Sequence, residues 1–254
     1  MPGHRFYAPL ENFTDKEARL PDDEAHHAVH VLRVRVGETA SVFDGQGRAF
    51  RAVVAEASKR GVRLALAEPL PSNESPLDLT LAAAILKADK FEWVIQKAVE
   101  LGVTRIIPLI ARYVEPGLVR SVSSDRLDRW ARISREATKQ CGRSRLTPIA
   151  TPRPMPDLLA AQGVKFFFTE RDGQSWGRVV KSIDAPALSA IAFVGPEGGW
   201  SDDEREQAAA GGAWLVTLGP RILRAETASA LAVGLLQSAL GDLVEVQASS
   251  PRSL

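Results

Sequence analysis

The chain has 254 residues, of which 45% are hydrophobic and 25% charged, and its formal net charge is +1. This composition fits a globular protein large enough for two domains, and the balanced charge argues against a protein that coats nucleic acid over its whole surface. A single cysteine, Cys141, excludes an internal disulfide framework and a cysteine-based zinc site. The N-terminus lacks the apolar core of a signal peptide and no apolar run has the length of a membrane span, so we expect a cytoplasmic protein with no membrane partner.

The N-terminal part of the chain predicts a small β-rich module. Residues 38–57 alternate in polarity around a glycine-containing turn, which is typical of a β-hairpin, and residues 61–69 form another short strand pattern. Ahead of them, residues 21–33 place apolar side chains at helical spacing, and Asp22 and Asp23 are predicted to cap this short helix.

A change in composition marks the predicted domain boundary. The stretch "PSNESPLD", residues 71–78, is rich in Pro, Ser and Asn and poor in apolar side chains, as linkers are. We therefore assign residues 1–70 to the β-rich module, 79–243 to a second domain and 244–254 to a flexible tail.

The second domain alternates short apolar runs with helical patterns. Such alternation predicts an α/β fold with a mainly parallel sheet. The predicted strands cover residues 79–86, 105–110, 165–169, 190–194 and 213–218.

Three helices of this domain carry recognisable boundaries. In "DKFEWVIQKAVELGV" the apolar residues follow a period of 3.6, and Gly102 stands where a C-terminal cap belongs. Ser201 and Glu204 have the spacing of a capping box, and a final helix is predicted to open at Glu226.

Two loops with unusual content follow neighbouring predicted strands. They read "VGPEGGWS" and "LGPRILRAET", and ligands of open α/β sheets bind beyond such strand ends. Neither G-x-G-x-x-G nor G-x-x-x-x-G-K-[ST] occurs in the chain, so the dinucleotide and polyphosphate fingerprints are absent. A small, mostly uncharged ligand held by backbone groups fits better, with Glu197 available to a positive charge on it.

Four separated motifs resemble the RsmE family of ribosomal RNA methyltransferases. They are "GPEGG" followed by S-x-x-E, "LGPRILRAETA", "KAVELGV" at 97–103 and "QCGR" at 140–143. The N-terminal "HAVHVLR" and "FDGQG" are similar to that family's PUA-like RNA-binding domain. The resemblance implies a trefoil-knotted α/β methyltransferase domain of the SPOUT class behind a small PUA-like β-barrel. The knot is implied by the resemblance alone, since threaded chains are rare.

The resemblance also implies an activity. Members of the family use S-adenosylmethionine to methylate N3 of the uridine at conventional position 1498 of 16S ribosomal RNA in the small (30S) subunit, and they act as homodimers. By analogy with the family, the cofactor contacts the end of one strand and the two loops. The implied contacts are Phe168, Thr169, Glu170, Val194, Gly195, Pro196, Glu197, Gly198, Gly199, Leu218, Gly219, Arg221, Ile222, Leu223 and Arg224.

Uridine N3 carries a proton and is a poor nucleophile while neutral. An arginine suits the delocalised anion left by deprotonation, because it stays charged and presents a planar fork. Arg143 is our first candidate, able in the dimer to reach the partner's cofactor, and Arg224 is the second. Glu197 is a candidate proton acceptor, although it could equally hold the loop or the cofactor's amino group.

The residues that contact RNA are predicted from local charge. Between Arg105 and Leu146 ten basic residues stand against four acidic ones, and in residues 125–140 the arginines form one stripe of a helix suited to phosphates. Trp130 on that helix is expected to pack in the core. The predicted RNA contacts are Arg5, His27, Arg33, Arg126, Arg129, Arg132 and Arg145.

No metal site is expected. His26 and His30 have i,i+4 spacing, but neither an H-E-x-x-H motif nor a third ligand accompanies them.

Two other functions fit the same motifs. A SPOUT enzyme acting on another RNA would have similar cofactor loops, and the N-terminal match favours 16S ribosomal RNA over that possibility. A non-catalytic RNA-binding assembly factor is the second alternative. The intact motifs argue against it, and cofactor binding without turnover would support it.

Overall fold

The computed structural model describes residues 3–58, 60–87, 89–183 and 189–243, so the predicted tail lies outside the described residues. Its contacts divide the chain into two compact units. Unit 1 comprises Met1–Glu74 and Arg135–Leu146, and unit 2 comprises Ser75–Ser134 and Thr147–Leu254. The division at Glu74 falls inside the stretch predicted to be a linker. No pattern in the sequence assigns residues 135–146 to the N-terminal module.

Unit 1 is built on a five-stranded sheet with the order β1-β3-β4-β5-β2. Its strands are β1 (His4–Tyr7), β2 (Glu17–Arg19), β3 (Thr39–Phe43), β4 (Ala49–Ser58) and β5 (Gly61–Pro69). A short 3-10 helix covers Leu10–Asn12, and helix α1 (Asp22–His26) continues into a π-helical turn, His27–Val31. The β3–β4 pair is antiparallel, which confirms the predicted hairpin, while β1 runs parallel to β3. No pairing of described residues joins β1 to β2, so closure into a barrel stays a prediction.

The cap predicted for α1 is wrong. The N-cap is Pro21, without a side-chain cap, and Asp22 and Asp23 lie within the first turn. Their carboxylates favour the helix start through its dipole, and Asp23 Oδ1 accepts the backbone N–H of Glu24 at 2.9 Å.

Unit 2 contains a seven-stranded sheet in the order β10-β12-β9-β11-β6-β7-β8, in which every recorded pairing is parallel. This confirms the predicted parallel α/β sheet.

Within the described ranges, no helix has both the length and the apolar character needed to cross a membrane. The elements that follow along the chain are β6 (Asp78–Ala84), α2 (Asp89–Glu100), β7 (Arg105–Ile110), α3 (Pro116–Arg120), α4 (Ser124–Cys141), β8 (Arg153–Pro154), α5 (Met155–Leu159), β9 (Val164–Phe168), β10 (Gln174–Ser175), α6 (Trp176–Lys181), β11 (Ser189–Val194), α7 (Asp202–Ala210), β12 (Trp214–Thr217) and α8 (Ala225–Leu240). Helix α4 begins in unit 2, and its residues from Arg135 onward belong to unit 1.

Helix α2 shows how the predicted pattern becomes packing. Phe91, Val94, Ile95 and Ala98 are all buried, because the 3.6 period puts them on one face. The helix ends at Glu100, and Gly102 follows with φ +83°, a left-handed conformation that favours glycine.

The capping box at the start of α7 is formed as predicted. Ser201 Oγ accepts the backbone N–H of Glu204, and the Glu204 carboxylate accepts the backbone N–H of Ser201 at 2.9 Å. Two otherwise unpaired donors of the helix start are thereby satisfied.

Replacing Ser201 with alanine should therefore lower the free energy of unfolding by about 1 kcal/mol. A urea titration followed by circular dichroism measures this change. Ser182→Ala is a suitable control, because this exposed serine follows the end of α6, donates to the Arg178 carbonyl inside that helix and caps no helix start. Equal stabilities for the two variants would contradict the assignment of a capping energy to Ser201.

Candidate functional site

The strand end and the two loops singled out in the sequence meet at one edge of the sheet in unit 2. Strands β9, β11 and β12 are neighbours and parallel, so their carboxyl ends lie side by side. The segments that follow them, 168–170, 194–199 and 218–224, together line a cavity of about 440 Å³. Every residue predicted to contact the cofactor lies on this lining, and the volume suits a small organic ligand.

Trp200, Ala225 and Ala228 also line the cavity and were not predicted. Trp200 is only 3% exposed, its ring centroid lies 4.3 Å from that of Phe167, and its Nε1 donates to the Phe168 carbonyl at 2.8 Å. This indole ties the loop after β11 to the end of β9. The position of Trp200 directly after the glycine motif was the signal that could have placed it in the site from the sequence.

The glycines of "GPEGG" leave room for close packing. A Cβ added to Gly195 would lie 2.8 Å from Trp200 Cε2, a distance that real side chains do not tolerate. Gly199 has φ +73°, which also favours glycine, and a Cβ there would meet the Glu170 carboxylate at 2.9 Å.

Charged groups stand at the mouth of the cavity. Glu197 Oε1 accepts a hydrogen bond from Lys90 Nζ at 2.7 Å, and this bond raises the pKa of Lys90. Arg221 and Arg224 are exposed and make no ion pair with any described residue. Their guanidinium groups are therefore available to a ligand or to an anion outside the cavity.

Arg143 lies in unit 1 and does not line the cavity. It is 3% exposed, and both Nε and Nη2 donate to Glu74 Oε2, at 2.9 and 2.7 Å. Glu74 Oε1 accepts the backbone N–H groups of Ser144 and Arg145 at 2.8 and 2.9 Å. Within this chain, the described contacts of Arg143 hold a loop together.

Arg5 contacts the same loop. Its Nη2 donates to the carbonyls of Gly142 and Arg143 and to Ser144 Oγ, and its guanidinium stacks over Phe43 at 4.9 Å. Burial lowers the pKa of Arg5, although an arginine stays charged at any physiological pH. Its predicted contact with RNA thus competes with these internal bonds.

The other predicted RNA contacts of unit 1 are more accessible. Arg33 is exposed with φ +54°, an uncommon backbone conformation for a non-glycine residue, and Arg145 is exposed. His27 is partly buried at the start of the π-helical turn.

The arginines of α4 are placed differently from one another. Arg126 stacks over Trp130 at 5.0 Å, and Arg129 pairs with Glu92 at 2.7 Å. Arg132 is exposed and has no ion pair with a described residue. Trp130 is fully buried against Phe91, as predicted.

The His26 and His30 rings lie 4.5 Å apart. Among the described residues, no group of three or more His, Cys, Asp and Glu side chains could hold a metal ion. Cys141 is partly buried, and its Sγ lies 3.7 Å from the Thr138 carbonyl oxygen.

Comparison with known proteins covers both units. Residues 73–237 match the sequence profile of an RNA methyltransferase domain, and residues 20–66 match that of an RNA methyltransferase PUA domain. "Ribosomal RNA small subunit methyltransferase E" from Synechocystis sp. is 34% identical over 246 residues, covering 93% of this chain and 78% of the relative. The protein of that name from Bacillus subtilis is 29% identical, covering 91% of this chain and 95% of its own. The crystal structure of a Neisseria gonorrhoeae ribosomal RNA small subunit methyltransferase E bound to S-adenosyl methionine has a TM-score of 0.85 and 34% identity, covering 95% of this chain and 99% of that one.

Proposed function

Because the chain belongs to the ribosomal RNA small subunit methyltransferase E family, we propose that it methylates N3 of the uridine at conventional position 1498 of 16S ribosomal RNA, using S-adenosylmethionine. The observation that carries the proposal is the cavity at the carboxyl ends of β9, β11 and β12, where all the loop residues implied by the resemblance converge. The names of the relatives support the class of RNA. The nucleotide and the atom rest on the resemblance.

The cavity fits the proposed cofactor in chemistry as well as in volume. Backbone groups of the two glycine-containing loops and apolar side chains such as Leu218 and Ile222 suit an adenine and a ribose. The carboxylates of Glu170 and Glu197 suit a positively charged ligand. The bound cofactor would supply an activated methyl group on a positively charged sulfur.

The chain's own residues then have to orient the uracil and manage a proton. Orientation alone can supply roughly 7–11 kcal/mol of the barrier. Arg224 stands at the mouth of the cavity and is available to stabilise negative charge on the base. One Glu197 oxygen is bonded to Lys90, which favours loop positioning over proton removal for this residue. Arg143 would act through a second protomer.

The proposal includes partners and topology. The substrate is 16S ribosomal RNA or the 30S subunit in the cytoplasm, contacted by the arginines of α4 and by Arg33 and Arg145. We further propose a homodimer, which light scattering of the purified protein would test, and a trefoil knot in unit 2.

The first test uses 30S particles from a strain deleted for the gene, incubated with the purified protein and labelled S-adenosylmethionine. Mass spectrometry of the modified nucleoside should find a methyl group on N3 of the uridine at position 1498. Label at another nucleotide would support a SPOUT enzyme for another RNA. Cofactor binding without transfer to free RNA, to assembling particles or to 30S subunits would support the assembly factor.

A further inference from the structure

A second cavity of about 520 Å³ lies among α2, α4 and the start of α8. None of its lining residues belongs to the site predicted from the sequence. The walls combine an indole, an amide, an amine, carboxylates and an aliphatic side chain. They include Lys90, Glu92, Trp93, Gln96, Ile133 and Glu226.

The two cavities adjoin through two pairs of residues. Lys90 lines the second cavity and bonds at 2.7 Å to Glu197, which lines the first. Ala225 lines the first cavity, and the next residue in α8, Glu226, lines the second. A ligand in the second cavity therefore lies beside the proposed cofactor.

The side chains of the second cavity match a nucleobase. Trp93 is 41% exposed, unusual for so large an apolar side chain, and an exposed indole is a platform on which bases stack. The Gln96 amide both donates and accepts hydrogen bonds, as the edge of a pyrimidine does.

Glu226 supplies the most specific feature. Its Oε2 is buried and has no hydrogen-bond partner among the described residues. A buried polar atom without a partner is costly, and an N–H group on a ligand would satisfy it.

The surroundings suit the phosphates of an RNA strand. Glu92 of the cavity wall pairs with Arg129 of α4, and Ile133 of the wall follows Arg132, whose guanidinium has no ion-pair partner among the described residues. The basic stripe of α4 thus borders the cavity.

We propose that this cavity receives a uracil base turned out of an RNA strand, with Glu226 as the acceptor of its N3 proton. The assignment rests on the proposed methyltransferase function and adds the site that holds the base to be methylated. The N3–H bond breaks, the proton binds to Glu226 Oε2, and the resulting negative charge spreads over the uracil carbonyls next to the Lys90 ammonium. Cytosine has no proton on N3 and would place a lone pair against the carboxylate, so the site favours uracil.

Cross-linking tests the location without requiring turnover. RNA carrying 4-thiouridine at the target position should cross-link to the tryptic peptide 91–97, which contains Trp93 and Gln96. Trp93→Ala should weaken RNA binding about tenfold by removing the stacking surface and leave cofactor binding unchanged. Leu243→Ala is the control, since Leu243 is 51% exposed in the same unit and lines neither cavity, and it should change RNA binding less than twofold.

Glu226→Gln tests the chemistry. It should lower kcat about a hundredfold, with unchanged melting temperature, cofactor affinity and cross-linking. Its residual kcat should rise with pH, because hydroxide must then remove the N3 proton. Glu206→Gln, at an exposed position on α7 outside both cavities, should keep full activity.

The outcomes separate this inference from the function on which it rests. An unmodified protein that cross-links through peptide 91–97 but transfers no methyl group would overturn the function and keep the uracil site. Methyl transfer accompanied by cross-links only outside that peptide, or by equal activities of Glu226→Gln and Glu206→Gln, would overturn the site. Protection of Trp93 from acrylamide in the free homodimer would do the same, by showing that a second copy covers the cavity.

Discussion

Replacing Arg143 with methionine is expected to lower the free energy of unfolding by about 3 kcal/mol. The substitution removes both guanidinium bonds to Glu74 and leaves that carboxylate 85% buried with half of its hydrogen bonds lost. Breaking a buried ion pair from one side costs about 3–5 kcal/mol, and the low end applies because the backbone N–H groups of Ser144 and Arg145 remain bonded.

The measurement needs a probe in unit 1. All five tryptophans lie in unit 2, so fluorescence is a poor reporter, and hydrogen exchange of the amides of 135–146 is the suitable observable. Arg51→Met is the control, because its pair with Glu68 in the same unit is more than half exposed at 2.8 Å and should contribute less than about 1 kcal/mol. Equal effects of the two variants would show that the Arg143–Glu74 pair does not stabilise unit 1. Activity of Arg143 variants is interpretable only where unit 1 is folded.

Replacing Gly195 with alanine is expected to weaken S-adenosylmethionine binding about a hundredfold. The added methyl group would lie 2.8 and 2.9 Å from two atoms of Trp200, and that indole cannot retreat because it is stacked on Phe167 and bonded to the Phe168 carbonyl. The loop must shift instead, and overpacking of this kind costs about 1–3 kcal/mol. A cost near the upper end of this range weakens cofactor affinity by about two orders of magnitude when it falls on the bound state.

Isothermal titration calorimetry with S-adenosylmethionine measures the effect. Gly234→Ala in α8 is the matched control, since no other group lies within 4 Å of its added methyl and alanine favours a helix. If both variants bound the cofactor as tightly as the unmodified protein, the glycine loop would not form the binding site.

Local rules predicted much of unit 2. The capping box of Ser201 and Glu204 and the left-handed Gly102 depend on residues a few positions apart, and both were found in the sequence. The apolar runs identified the long strands, while β8 and β10 have two residues each and leave no periodic signal.

The environment of Arg143 illustrates what a sequence does not reveal. Its partner Glu74 is 69 positions away, in a stretch that reads as linker, so no spacing rule connects them. The same holds for the second cavity, whose walls come from three helices separated along the chain. The meeting of the glycine loops was easier to predict from the sequence, because each loop follows its own strand and parallel strands bring such loops to the same edge of the sheet.

Unit 1 is assembled from two separate stretches of the chain, and this limits how it could be exchanged between proteins. Recombination that transplanted Met1–Glu74 alone would leave Arg135–Leu146 behind in the donor, together with the guanidinium that Glu74 holds. The present arrangement requires the two stretches to be inherited together, so hybrids between relatives should retain both from the same parent.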